Sequence, residues 1–196
     1  MTVESLHRLG GMPRSGKPVR RRLQMAALDL YCRNGYEATT AAEIAAAAGV
    51  TERTFFRHFP DKREVLFDGE DDLHAALAKA IADVPGDVAP LAALRQAFPT
   101  VGPTLEKNRP FAQPRWQLIA ATPALRERDL AKIASLQETI AESLRARGVP
   151  DRQATLAAQV GAAALGRAIR EWMPDPSADF ESKLNEAFDD LTQLGL

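Results

Sequence analysis

The chain has 196 residues, 45% hydrophobic and 26% charged, a balance that fits one large domain, or a small domain docked on a larger one, and excludes a disordered chain. Aromatic residues are only 6%, 35 residues are alanine, and Cys32 is the single cysteine, so helix is favoured and an internal disulfide framework is ruled out. The net charge of −1 hides an asymmetry: residues 1–67 carry 11 Lys/Arg against 7 Asp/Glu, while residues 68–196 carry 14 against 19. A basic end on an acidic body is expected where one end meets phosphate, although a short basic tail that only aids solubility gives the same count. No apolar run nears the roughly 20 residues of a membrane span. Met1–Ser15 has no apolar core of the signal-peptide kind, so a cytoplasmic protein without membrane contact is expected.

Residues 1–17, with Gly10, Gly11, Pro13 and Gly16, lack periodicity and read as a flexible arm. Its basic run extends from Arg8 and Arg14 through Lys17 into Arg20, Arg21 and Arg22. From Pro18 the pattern turns helical, with Leu23, Ala26, Ala27, Leu30 and Tyr31 on one stripe and Gly35 as a left-handed stop. Thr40-Ala41-Ala42-Glu43 has the form of a capping box opening a short helix over 41–48. Gly49 then makes a tight turn, and Thr51 caps a helix over 52–59. Asp61 and Glu64 are placed to start a longer helix over 62–82, which Pro85-Gly86 closes. Prolines 90, 99, 103, 110, 114 and 123 predict shorter helical pieces between them. A long helix over 123–147 follows, with Leu130, Ile133, Gln137, Ile140 and Leu144 along one face and Gly148 as its stop. A helix over 151–173 is ended by Pro174 and Pro176. Ser177 caps the last helix, in which Phe180, Leu184, Ala187, Phe188, Leu191 and Leu194 recur. The fold class is all-α with about nine helices and no strand.

The stretch from Thr40 to Thr51 has the make-up of a helix-turn-helix, with small residues at the crossing, Ile44 and Val50 facing the core, and a glycine turn. In such a unit the second helix enters the major groove N-terminus first. Here it presents Thr51, Glu52, Arg53, Thr54, Phe56, Arg57 and His58. Arg53 and Arg57 lie one turn apart and suit guanine edges or phosphates. Phe55 and Phe59 read as core staples, Glu52 as either a cytosine acceptor or a helix-dipole partner, and Cys32 as a buried, inert thiol.

The segments Thr39-Thr40-Ala41-Ala42-Glu43-Ile44-Ala45, Ala48-Gly49-Val50-Thr51-Glu52-Arg53-Thr54-Phe55-Phe56-Arg57-His58-Phe59 and Asp61-Lys62-Arg63-Glu64-Val65-Leu66 resemble the DNA-binding domain of TetR-family transcriptional regulators. The resemblance implies a DNA-binding domain over 18–67 and a ligand-binding and dimerisation body over 68–196. It implies a homodimer that binds double-stranded operator DNA and is released by a small effector, most often as a repressor. By the same resemblance Thr40 and its helix start meet phosphate, Thr39 beside them belongs to the DNA-binding residues, Arg53 and Thr54 sit at the bases, and Phe56, His58 and Lys62 fall at backbone-contacting positions. The family often has tyrosine where this chain has Phe56, so a hydroxyl that reaches phosphate is missing. An alternative is an effector-binding sensor or interaction protein of the same fold without specific DNA binding.

In the body, Gly161, Ala162, Ala163, Ala164 and Gly166 let another helix approach closely. They predict either packing within one subunit or, by the resemblance, a four-helix dimer interface using Gly161, Ala164, Leu165, Phe188 and Leu191. An effector pocket is expected from Phe98, Phe111, Trp116, Leu118, Leu136 and Ile140 as apolar walls, with Arg115 or Gln117 orienting a polar group. Arg115–Arg126 also resembles family members whose C-terminal domain binds acyl-CoA-like ligands, which implies a lipophilic effector. No glycine-rich phosphate loop, serine elbow or Cys–His pairing is present, so no catalytic residue, enzyme activity or cofactor is expected. His7, His58 and His74 lack carboxylate or cysteine partners at metal-ligand spacing, and no metal site is expected.

Overall fold

The computed structural model describes residues 16–195. The expected arm, including His7, Arg8 and Arg14, therefore lies outside the described residues. Among the described residues there are helices and turns and no strand. The chain divides into two units between Val65 and Leu66.

The first unit holds α1 (Lys17–Asn34), α2 (Ala41–Ala47) and α3 (Glu52–His58). Helix α1 begins at Lys17, so Lys17 and Arg20–Arg22 belong to a helix and not to the arm. Leu23, Ala27, Leu28 and Tyr31 form its buried stripe, against Ile44 and Ala45 of α2 and Phe55 and Phe59 at α3. Cys32 departs from expectation: it is exposed, because the buried stripe reaches the end of α1 through Tyr31, and the next residue turns outward. The capping box is present, with the Glu43 amide donating to Thr40 Oγ1 at 3.2 Å and the Thr40 amide to Glu43 Oε2 at 2.7 Å. Gly49 takes φ of 67°, a left-handed turn that lets α3 start only three residues later.

The helix expected over 62–82 is broken. Asp61 Oδ1 accepts from the amides of Arg63 and Glu64, at 2.7 and 3.0 Å, but only a 3-10 turn over Glu64–Leu66 follows. Gly69, at φ of 91°, then interrupts the chain, and α4 starts anew over Glu70–Asp83.

The second unit continues with α5 (Pro90–Ala97), a 3-10 turn over Phe98–Val101, α6 (Gly102–Ala121), α7 (Pro123–Ala146), α8 (Asp151–Trp172) and α9 (Phe180–Gln193). Pro110 and Pro114 do not divide α6 but lie inside it. The α9 cap is Asp179, accepting from the Ser182 amide at 2.7 Å, because Ser177 is already held by Asp175 through both its amide and its hydroxyl. The core runs through Leu77, Ile81, Leu94, Phe98, Ile140, Leu144, Ala158, Leu165, Trp172 and Phe188. Leu130, Ile133 and Leu194 leave the predicted stripes and are exposed.

Two arginines bind helix ends that sequence periodicity does not reveal. Arg109 is buried on α6 and donates to the backbone carbonyls of Trp172, Met173 and Asp175, with its guanidinium 4.2 Å from the Trp172 ring centroid. Arg147 does the same at the end of α4, toward the carbonyls of Ile81, Val84, Pro85 and Val88. Each cation meets the terminal carbonyls that a helix leaves without intrahelical partners, where the helix dipole favours positive charge.

Candidate nucleic-acid interface

Helix α3 is anchored by one face and presents the other. Phe55 and Phe59 are fully buried, and their rings stand 5.8 Å apart. The guanidinium of Arg20 on α1 lies 4.8 Å from the Phe59 ring, joining the start of the unit to the end of α3. At the N-terminus of α3 the Thr54 amide donates to Thr51 Oγ1 at 3.2 Å, which fixes where the helix begins.

Glu52, Arg53, Phe56 and Arg57 occupy the opposite, exposed face, together with Thr51 at the cap. Thr54 and His58 are half-buried at its edges. Positions 53, 56 and 57 share a side by the three- and four-residue spacing of a helix. Phe56 is 51% exposed, yet its ring is held edge-on against buried Phe55 at 5.3 Å. This face therefore carries two cations one turn apart with an exposed apolar ring to one side of them.

At α2, Thr40 is exposed and its amide and hydroxyl hold the Glu43 carboxyl below the usual carboxylate range. Two expected contacts are changed by the structure. Thr39 is completely buried and its hydroxyl donates to the Gly35 carbonyl at 2.8 Å, so its side chain does not face a ligand. Lys62 turns inward: its ammonium donates to the carbonyls of Tyr36 and Thr39, each at 2.9 Å, and of Glu37 at 3.3 Å. Tyr31 completes this cluster, its hydroxyl donating to the Lys62 carbonyl at 2.5 Å. Burial raises the Tyr31 phenol far above its ordinary range, so it stays a donor.

The second unit separates the residues expected for its dimer face and pocket. Gly161, Ala164, Leu165 and Phe188 are buried within the subunit, and only Leu191 of the expected interface is partly open. A Cβ on Gly161 would meet Leu94 Cδ1 at 2.4 Å, so this glycine admits α5 of the same chain. Phe98 and Ile140 are fully buried packing residues, with Phe98 against the Phe188 ring at 6.2 Å. Phe111 is buried, Trp116 is 38% exposed, and Leu136 is half-buried. Arg115 donates to the Leu66 carbonyl at 2.9 Å, beside the Phe67 ring. None of these six residues lines the apolar groove of about 590 Å³ that opens between α5, α8 and α9. That groove is bounded by Leu91, Arg95, Leu156, Val160, Phe188 and Leu191, among others. Its α8 residues, 153, 156, 157 and 160, repeat at helical spacing, a second stripe that sequence periodicity contains but that the stronger 154, 158, 161 and 165 pattern masks.

Residues 25–68 match the family described as bacterial regulatory proteins, tetR family, and residues 88–194 match the MftR C-terminal domain. The chain is 31% identical to the HTH-type transcriptional regulator TcmR of Streptomyces glaucescens, over 83% of this chain and 76% of that protein. The chain belongs to the TetR family of transcriptional regulators. It is also 26% identical, over 91% of its length and 94% of the other, to a protein named as the mycofactocin biosynthesis transcriptional regulator MftR of Mycobacterium tuberculosis. Among solved structures, this TetR-family chain is similar to the Thermus thermophilus repressor FadR in complex with lauroyl-CoA, with a TM-score of 0.56, 26% identity, and coverage of 88% of this chain and 93% of that one. The SmeT–triclosan complex shares the fold, with a TM-score of 0.61 at 21% identity and coverage of 88% of each chain. These relatives are regulators and not enzymes. Among the described residues no helix is long and apolar enough to cross a membrane, and no cluster of three or more His, Cys, Asp or Glu side chains is placed to hold a metal ion.

Proposed function

We propose that this regulator works in the cytoplasm as a homodimeric repressor, binding a palindromic operator through α3 and leaving it when a lipophilic effector binds the second unit. The observation that carries the reading is the exposed face of α3, which presents Arg53, Phe56 and Arg57 while Phe55 and Phe59 fix the helix from behind. The two guanidiniums suit bidentate contact with guanine or phosphate, and the Phe56 ring suits a sugar or a thymine methyl. Likeness to FadR in complex with lauroyl-CoA supports an acyl-CoA-like effector. Selection of bound fragments from the host genome by the purified protein, at near-physiological salt, tests the reading. Enrichment of a palindrome supports it, and folded dimer that enriches nothing overturns specific DNA binding.

Arg53→Ala is expected to weaken binding to the selected operator by roughly 1–3 kcal/mol while changing binding to random duplex much less. Equal losses on both duplexes, measured by titration at one salt concentration, would remove Arg53 from base readout.

Pairing is assigned to the open edge of α8 and α9, where Leu156 is 60% exposed beside Val160 and Leu191. A second copy covers this apolar edge, in place of the buried Gly161 and Ala164. Leu156→Glu is therefore expected to yield a folded monomer, with unchanged helical circular dichroism and halved mass in sedimentation. A Leu156→Glu protein that remains dimeric would move the interface elsewhere.

A further inference from the structure

Lys62 lies just beyond α3, after the Pro60-Asp61 turn, but its side chain belongs to the connection between α1 and α2. Its three ammonium donors point at three carbonyls of that connection, Tyr36 and Thr39 at 2.9 Å and Glu37 at 3.3 Å. The same nitrogen stands 4.4 Å from the Tyr36 ring centroid, a cation–π contact on the remaining side. Its own backbone is held in turn, because the Tyr31 hydroxyl donates to the Lys62 carbonyl from the buried face of α1. The carbonyls that Lys62 gathers end at Thr39, immediately before Thr40, the residue that caps α2 and shares the box with Glu43. Thr39 is pinned independently by its hydroxyl bond to Gly35. A lysine poised for phosphate keeps its donors toward solvent, whereas this one has exchanged water for carbonyl oxygens and an aromatic face. Reaching a phosphate would break all of these contacts at once.

We propose that Lys62 is a positioning residue that ties the 36–39 turn to the chain after α3, and so sets where Thr40 and the start of α2 stand, without itself neutralising a phosphate. The proposal rests on the reading of α2 and α3 as the DNA-binding surface. Geometry distinguishes it from a simple charge contact. The three carbonyls close around one nitrogen at the end of a lysine stem, and the longer side chain and broader planar head of arginine cannot take that same position without moving the 36–39 turn. Any cation, by contrast, serves a phosphate.

The test compares the full-length protein with Lys62→Met and Lys62→Arg, using a random-sequence 30-base-pair duplex across a salt series and backbone amide hydrogen exchange. Lys62→Met keeps the aliphatic stem and removes only the donors. Both variants are expected to bind the duplex about tenfold more weakly, on log–log salt plots parallel to that of the wild type. Amides from Thr39 to Ile44 are expected to exchange about tenfold faster in both, while those of α8 keep their protection. A salt slope shallower by about 0.9 in Lys62→Met, restored in Lys62→Arg, would make Lys62 a phosphate contact and overturn the proposal. Unchanged affinity of the folded variants would also overturn it, leaving Lys62 a contributor to stability alone. If the wild type itself binds no duplex, the DNA-binding reading falls separately. Exchange then decides about the clasp: unaltered protection at Thr40–Ile44 rejects it, and selective loss there supports it.

Discussion

Gly161→Leu is expected to destabilise the subunit by about 3 kcal/mol, the upper end of ordinary overpacking, and to do so without any involvement of a second chain. A Cβ at this position would already approach Leu94 Cδ1 to 2.4 Å, with Phe98 Cζ at 3.6 Å. Leu94 and Phe98 are both fully buried, so neither has solvent to retreat into. Gly161→Ala is the graded control. Its methyl group still forces the end of the buried Leu94 side chain to shift, but the alanine recovers up to about 1 kcal/mol of helix propensity, so a loss clearly smaller than that of Gly161→Leu is expected. Denaturant unfolding monitored by circular dichroism measures both variants. A Gly161→Leu protein that unfolds at the wild-type midpoint but sediments as a monomer would show that α8 meets a partner, and not α5, at this glycine.

Trp172→Ala is expected to cost about 3–5 kcal/mol, the range for emptying a fully buried large aromatic site. Trp172 has no exposed surface and packs edge-on against Phe180 at 5.6 Å while Arg109 covers its other side. Removing the indole leaves a cavity where α6, α8 and the start of α9 meet, and takes away one of the contacts that hold the Arg109 cation in place. The chain has two tryptophans, and Trp116 is partly exposed. Emission of the folded variant, coming from Trp116 alone, should therefore lie to the red of the wild type. Unchanged thermal stability would mean that the arginine–carbonyl bonds alone secure the end of α8.

What the sequence makes legible is local. The capping box at Thr40 and Glu43, the cap at Thr51, the turn at Gly49 and the inward Phe55 and Phe59 all depend on neighbours a few residues away. What escapes it depends on distant chain. Lys62 reads as a surface cation until the carbonyls of 36–39 are brought beneath it, 23 to 26 residues upstream. Gly161 reads as an interhelix glycine, but only the fold decides that the approaching helix is α5. Ser177 has a capping residue's chemistry, yet Asp175 takes its donors first. The expected pocket gathers residues that share hydrophobicity but not location, since periodicity says which face is buried and never against what. Cys32 escapes for a simpler reason, lying one residue past the buried stripe.

The prolines inside α6 give that helix a property its length conceals. Pro110 and Pro114 have no amide hydrogens, so the carbonyls of Glu106 and Pro110 lack their usual intrahelical donors. Two rungs are missing from the middle of a helix of 20 residues. A continuous ladder zips as one cooperative block, whereas a ladder with gaps can open on one side of the gap and stay closed on the other. The Gly102–Arg109 segment, stitched to the end of α8 by Arg109, can thus open or close separately from Arg115–Ala121, which Arg115 ties to the Leu66 carbonyl. Helix α6 is mechanically a jointed rod, and its two ends need not report the same event.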